Sequence, residues 1–136
     1  CYRMSGYLLD TNACIAILKG NSTMLANLRR VGVRQLYLCA PVKAELWFGA
    51  CKSAKTIENK EKLDVFFDGL PSLPFDDKVI KTLGELRMSL FAKGTPIGPY
   101  DMQIAAIALS YGLTVVTHNV REFERVPDLL VEDWLV

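Results

Sequence analysis

Three acidic residues of this 136-residue chain stand where the apolar pattern places the protein interior. Glu45 and Asp101 each fall within the apolar stripe of a predicted helix, three and four residues away from apolar neighbours. Asp10 directly follows the apolar run of residues 6–9, which is typical of a buried strand. A single acid at the end of a stripe can equally reach solvent. Two such helices and a strand end together favour carboxylates that converge inside the fold.

A cluster of carboxylates without an internal cation is the ligand set of a hard divalent metal ion. Neither helical stripe contains a lysine or arginine to offset the cost of burying the acids. Mg²⁺ and Mn²⁺ take oxygen ligands, lower the pKa of a bound water and neutralise charge on a phosphodiester. We therefore interpret Asp10, Glu45 and Asp101 as metal ligands of a hydrolase that acts on phosphate esters.

Other catalytic arrangements have less support in the residues. His118 is the only histidine, and it lies in a predicted loop where no candidate nucleophile accompanies it. The four cysteines form no Cys-x-x-Cys pair, which argues against a zinc site; they are Cys1, Cys14, Cys39 and Cys51. Cys14, Cys39 and Cys51 have apolar neighbours, which predicts small buried thiols.

Composition is that of one ordinary globular domain, with 51% apolar and 23% charged residues. The net charge of +1 does not by itself indicate a nucleic-acid-binding protein; if the substrate were a nucleic acid, its contacts would need a local basic patch or bound metal ions. No apolar run approaches the length of a membrane span, and we expect a cytoplasmic protein without membrane association. Residues 1–6 are interpreted as an N-terminal extension and residues 7–136 as the domain.

The chain alternates predicted strands with predicted helices. We expect strands near residues 6–9, 35–39, 70–75, 113–117 and 129–132, and helices near residues 13–19, 23–31, 41–54, 57–67, 76–92 and 99–111. Thr11 and Asn12 are interpreted as capping residues of the first helix. The alternation predicts an α/β domain with a central, mostly parallel sheet of four or five short strands and helices on both faces. Ligands of such sheets bind beyond the carboxyl ends of the strands.

Four segments of the chain resemble the motifs of PIN-domain proteins. They are Leu8-Leu9-Asp10-Thr11-Asn12, Val42-Lys43-Ala44-Glu45-Leu46 followed by Gly49, Pro96-Ile97-Gly98-Pro99-Tyr100-Asp101, and Thr117-His118-Asn119-Val120-Arg121-Glu122-Phe123. Within that family the chain is most similar to VapC-type toxins of bacterial toxin–antitoxin pairs, from about Tyr7 to Trp134. Four motifs in the right order make this resemblance specific.

The resemblance implies an Mg²⁺- or Mn²⁺-dependent endoribonuclease, often directed at tRNA or rRNA. Such a toxin is usually a homodimer, and a cognate antitoxin inserts into the site region and holds it inactive. Residue by residue, the resemblance makes Asp10, Glu45 and Asp101 the acidic ligands and Asn12 the polar support of the first acid. Thr117 and Asn119 match the fourth motif, and Asn119 counts among the catalytic positions.

The fourth motif departs from the family pattern, because many members have Asp where this chain has Asn119. Glu122 is the candidate to supply that charge, and the choice between one and two metal ions stays open. Arg87 and Arg121 are candidate RNA contacts, although a solvated surface role accounts for arginines in these positions as well.

Three other functions compete with this reading. A nuclease directed at DNA or at a particular nucleic-acid structure would use the same acids. A non-catalytic or regulatory RNA-binding module would explain Asn119 but not the retention of three acids. A phosphatase with Asp10 as nucleophile is disfavoured, because that chemistry usually wants an acid at the position of Asn12.

Overall fold

The protein forms one five-stranded sheet in which all neighbouring strands run parallel. The computed structural model describes residues 6–136, so five residues of the predicted N-terminal extension lie outside it. The strand order is β3-β2-β1-β4-β5. The strands are β1 (Tyr7–Leu9), β2 (Leu36–Cys39), β3 (Ser72–Leu73), β4 (Thr114–Val116) and β5 (Val131–Glu132). The predicted α/β sheet is confirmed.

Helices connect every strand to the next. They are α1 (Thr11–Leu18), α2 (Ser22–Val31), α3 (Ala40–Cys51), α4 (Thr56–Asp68), α5 (Asp77–Lys93), α6 (Pro99–Tyr111) and α7 (Val120–Phe123). The chain builds β1, β2 and β3 outward on one side and then returns to place β4 and β5 on the other. The strand order therefore reverses between β1 and β4, which is where parallel α/β sheets bind their ligands.

The start of α1 differs from the prediction and places an acid at its N-terminus. Asp10, not Thr11 or Asn12, is the N-cap: its backbone is extended and its carboxylate accepts the N–H of Ala13 at 2.8 Å. The reason is that β1 passes into α1 without a loop, so the last extended residue takes the capping position. Thr11 and Asn12 are already helical.

Smaller differences concern the ends of elements and the cysteines. α3 ends at Cys51, three residues before the predicted end at residue 54, and α7 was not predicted. Cys14 and Cys39 are buried as expected, whereas Cys51 is exposed at the end of its helix. Within residues 6–136, no helix has both the length and the apolar character needed to cross a membrane.

The hydrophobic core lies along the central strands and α6. Leu8, Leu38 and Val115 are fully buried along adjacent strands, and α6 is buried on all sides from Ile104 to Ala108. At the carboxyl edge, the N–H of Asp10 donates to Val116 O at 3.1 Å. The site residues that follow β1 and β4 are therefore held side by side by the backbone.

Candidate active site

Asp10 is a buried carboxylate at the junction of β1 and α1. Only 4% of its surface is exposed, and this burial raises the pKa of Asp10 above its usual range. Hydrogen bonds from the Thr117 hydroxyl and the Ala13 N–H oppose the rise, while the charges of Glu45 and Asp133 add to it. A bound cation would offset both the lost solvation and the repulsion.

Thr117 connects the first acid to the fourth motif. Its side chain is 1% exposed, donates to Asp10, and accepts the N–H of Asn119 at 2.9 Å. This threonine follows β4 directly, and its own N–H is held by Glu132 O at 2.9 Å. The predicted supporting position thus lies in contact with the predicted ligand.

Asp101, Asn119 and Glu122 form a second group of polar side chains at the same edge. Asp101 lies in the first turn of α6, where Gly98 is the cap residue before the helix. The Asn119 amide donates to Glu122 Oε2 at 2.6 Å and to Asp101 Oδ2 at 3.3 Å. Glu122 Oε1 also accepts the N–H of Gly98 at 2.5 Å, which fixes α7 against the start of α6.

The pKa values of Asp101 and Glu122 are shifted in opposite directions. Burial, the charge of Glu122 and a hydrogen bond to it raise the pKa of Asp101 to about 6. The Gly98 N–H, the Asn119 amide and the proton of Asp101 hold the pKa of Glu122 below its usual range. These opposite shifts make Asp101 the acid of the pair that is protonated first as the pH falls.

Glu45 faces the site from α3 on the opposite side. It is half-buried, its charge contributes to the raised pKa of Asp10, and with Thr11 it lines the end of a surface groove. Asn12 is exposed on the first turn of α1, whereas the described partners of Asp10 are Thr117 and Ala13.

The donor chemistry fits a hard divalent ion. Neither of the ion pairs found within residues 6–136 involves Asp10, Glu45, Asp101 or Glu122. In the same part of the chain, no three acidic, histidine or cysteine side chains converge closely enough to hold an ion directly. Mg²⁺ usually keeps several waters and uses one or two carboxylates, so an ion held partly through water matches this arrangement.

The structure also shows polar groups near the site that the sequence interpretation missed. His118 directly follows Thr117 in the sequence, and its Nδ1 lies 2.9 Å from Asp133 Oδ2. The signal available in the sequence was that Asp133 follows β5, whose carboxyl end lies at the same edge as that of β4. Arg125, by contrast, is fixed by donating to Pro96 O at 3.0 Å.

The two arginines predicted to contact RNA are both exposed. Arg121 lies on α7 between site residues, and Arg87 lines a separate groove together with Pro96 and Pro99. Each is available to a ligand at the surface.

Known proteins are similar to this one along nearly its whole length. The profile of the PIN domain family matches residues 7–129. The tRNA(fMet)-specific endonuclease VapC of Salmonella typhimurium is 37% identical over 131 residues, which covers 96% of this chain and 99% of the relative. Ribonuclease VapC2 of Rickettsia felis is 39% identical over 130 residues, 94% of this chain and 97% of the relative.

Solved structures show the same likeness. The crystal structure of DNA-bound VapBC from Salmonella typhimurium matches with a TM-score of 0.90 at 37% identity. The match covers 96% of this chain and 99% of that one.

Proposed function

The chain belongs to the PIN domain family as a VapC-type ribonuclease, and we propose that it hydrolyses RNA at Asp10, Glu45 and Asp101 with the help of Mg²⁺ or Mn²⁺. One observation carries the proposal. The carboxylates of Asp10 and Asp101 come from a strand end and a helix start at the switch point of the sheet, both have raised pKa values, and the charge of Asp10 helps to raise the pKa of Asp101. Such groups favour a compensating cation.

The residues divide the work of the site. Asp10, Glu45 and Asp101 are the proposed ligands, and Glu122 supplies the acid that Asn119 does not. A bound divalent ion would lower the pKa of an attacking water and neutralise charge on the phosphodiester. Thr117 and the Ala13 N–H fix the Asp10 carboxylate.

The Asn119 amide contacts the acids at the start of α6 and on α7. It holds the carboxylates of Asp101 and Glu122 close to each other despite their like charges, because it donates a hydrogen bond to each. The catalytic role proposed for Asn119 is therefore to position these acids.

We propose a tRNA as the substrate. The support is that the Salmonella relative, 37% identical, is a tRNA(fMet)-specific endonuclease. Arg87 and Arg121 remain the proposed RNA contacts, and their exposure is compatible with that role. Phosphate contacts from such residues position a nucleic acid without reading its sequence.

We propose a cognate antitoxin as the protein partner. A groove of about 560 Å³ between α1, α3 and α4 includes Thr11 and Glu45 in its lining. Its lining combines aliphatic side chains with lysines, including Ile15, Leu46, Leu63, Lys19, Lys52 and Lys62. This combination suits an amphipathic acidic segment, which would lie across the approach to Glu45 and block the site.

A homodimer is the proposed assembly. α5 carries exposed apolar side chains at Ile80, Met88 and Phe91, which are 50%, 63% and 77% exposed. Their spacing of eight and three residues places them on one face of the helix. Exposed apolar side chains grouped on one face of a helix, here with the exposed Arg87 between them, are typical of a protein–protein contact.

Cleavage of RNA by partner-free protein tests the proposed function. A pool of total tRNA is incubated with Mg²⁺, with Mn²⁺, or with EDTA, for wild type and for Asp10→Ala. We expect discrete fragments only with metal and only from wild type. Asp64→Ala is the matched control, because Asp64 is an exposed acid on α4.

Two results would contradict the proposal. Folded, partner-free wild type that cleaves no RNA with either ion would favour the binding-module function. Cleavage of single-stranded DNA at a comparable rate would favour a nuclease that does not distinguish the two nucleic acids.

A further inference from the structure

His118 and Asp133 form a fixed polar pair at the rim of the acidic site. Both carboxylate oxygens of Asp133 are used: Oδ1 accepts the N–H of Leu135 at 2.9 Å, and Oδ2 lies 2.9 Å from His118 Nδ1. The Asp133 side chain is 15% exposed, so the segment after β5 holds it in place. The imidazole is therefore oriented by a partner that cannot easily move.

The pair lies beside the reacting groups. His118 follows Thr117, which hydrogen-bonds to Asp10, and precedes Asn119, which donates to Asp101 and Glu122. The charge of Asp133 is among those that act on Asp10. Both sequence neighbours of His118 thus contact site residues, and the exposed imidazole lies on the segment between them.

The hydrogen-bonding state of the ring follows from its partner. A carboxylate only accepts hydrogen bonds, so the proton between the two side chains belongs to Nδ1. In the neutral ring, Nε2 is then an acceptor. Because 61% of the His118 side chain is exposed, Nε2 is free for a donor from outside the protein.

We propose that Nε2 of His118, held by Asp133, accepts a hydrogen bond from the ribose 2′-hydroxyl next to the cleaved bond and thereby selects RNA over DNA. The inference rests on the proposed ribonuclease function. Hydrolysis by a metal-activated water does not use the 2′-hydroxyl as a nucleophile, so selectivity for RNA must come from a binding contact. The 2′-hydroxyl is the group by which proteins distinguish RNA from DNA.

A simpler role for the pair is mechanical, in which His118 only fastens the segment after β5 to the end of β4. That role predicts lower stability when the pair is broken. It predicts no change in how the enzyme responds to the sugar of its substrate, so the two roles are separable.

The test uses one RNA stem-loop, taken from the tRNA that wild type cleaves, and two variants of it. Each variant replaces the 2′-hydroxyl beside the cleaved bond, one by hydrogen and one by fluorine, which preserves the sugar pucker but cannot donate. We expect wild type to lose about tenfold in kcat/KM on both variants, as for one lost hydrogen bond. For His118→Ala we expect equal, low rates on all three substrates.

Two further variants distinguish the contact that His118 makes with the 2′-hydroxyl from the orientation that Asp133 gives to His118. His118→Gln should restore part of the preference, because its amide oxygen can accept at a similar reach. Asp133→Asn should weaken the preference without removing the side chain that makes the contact. Melting temperatures of all variants are measured in parallel to confirm that they are folded.

The possible failures are distinguishable. If wild type cleaves none of the three substrates, the proposed function itself fails. If wild type cleaves RNA but shows no penalty for the modified sugars, or if His118→Ala keeps the full penalty, the 2′-hydroxyl contact is overturned while the ribonuclease function stands.

Discussion

The side-chain amide of Asn119 donates to Glu122 Oε2 at 2.6 Å, so a neutral residue holds the one acid of the fourth motif. The same amide nitrogen donates to Asp101 Oδ2 at 3.3 Å. A carboxylate in this position could only accept, and it would add a third negative charge at the point where the amide now bridges two. These two hydrogen bonds support the proposed role of Asn119 as a positioning group for two carboxylates.

Asn119→Asp is expected to destabilise the protein in EDTA and to increase its response to metal. The substitution removes hydrogen bonds to charged groups, each worth about 1.5–3 kcal/mol, and adds repulsion. We expect the melting temperature in EDTA to fall by roughly 5 °C or more, and Mn²⁺ to restore more stability than it adds to wild type. Melts in EDTA and in millimolar Mn²⁺ measure both effects. An unchanged melting temperature in EDTA would contradict the role given to the amide.

Sequence patterns located the acids because their positions depend on local rules. Asp10 ends an apolar strand, and Asp101 interrupts a helical stripe, so each could be identified within a few residues of chain. Both lie at the carboxyl edge of the sheet in the structure, as the α/β pattern predicts. The start of α1 shows the limit of such rules, since Thr11 was predicted as a capping residue but Asp10 is the N-cap.

Other features of the site depend on contacts that sequence spacing does not encode. Glu122 bonds to Gly98, which lies 24 residues earlier, through the short helix α7 that was not predicted. His118 and Asp133 meet because β5 adds next to β4, and strand order is a property of the whole sheet. Both pairs required the three-dimensional arrangement.

Thr117→Val is expected to destabilise the protein and to impair cleavage. The hydroxyl is almost fully buried and serves Asp10 and the N–H of Asn119, so its loss leaves a buried group without a partner. That cost is about 1–3 kcal/mol. Thr114→Val in the same strand is the matched control, because Thr114 is only half-buried.

Urea denaturation of both valine variants measures the difference. Equal stabilities for the two variants would show that the Thr117 hydroxyl contributes little.

Phe91→Glu is expected to shift the protein from dimer to monomer. The charge would lie in the apolar face of α5 that we propose as the contact, and an aromatic anchor of an interface is typically worth about 2 kcal/mol or more. Ile57→Glu is the matched control, since Ile57 on α4 and Phe91 are both 77% exposed. Light scattering after gel filtration at several concentrations gives the mass. A dimer that persists in Phe91→Glu would place the contact elsewhere.

Asp101→Asn is expected to stabilise the metal-free protein above about pH 6 while it abolishes cleavage. The folded-state pKa of Asp101 is about 6 against an ordinary value of 3.8, so the folded protein holds the proton more tightly than the unfolded chain. Protonation therefore adds stability that is complete below the ordinary value and is lost as the pH rises through the folded value. Asn imitates the protonated acid at every pH, because its amide can donate to Glu122.

The expected gain over wild type appears in EDTA at pH 8 and disappears near pH 4. A shift of about two units sets an upper limit near 3 kcal/mol, and partial exposure of Asp101 reduces it. Asp64→Asn on α4 is the control for a change of net charge, because Asp64 is exposed. If Asp101→Asn melts clearly below wild type at pH 8 in EDTA, burial and the neighbouring charges do not raise the pKa of Asp101. Such a result would also remove the main electrostatic argument for a cation at this edge of the sheet.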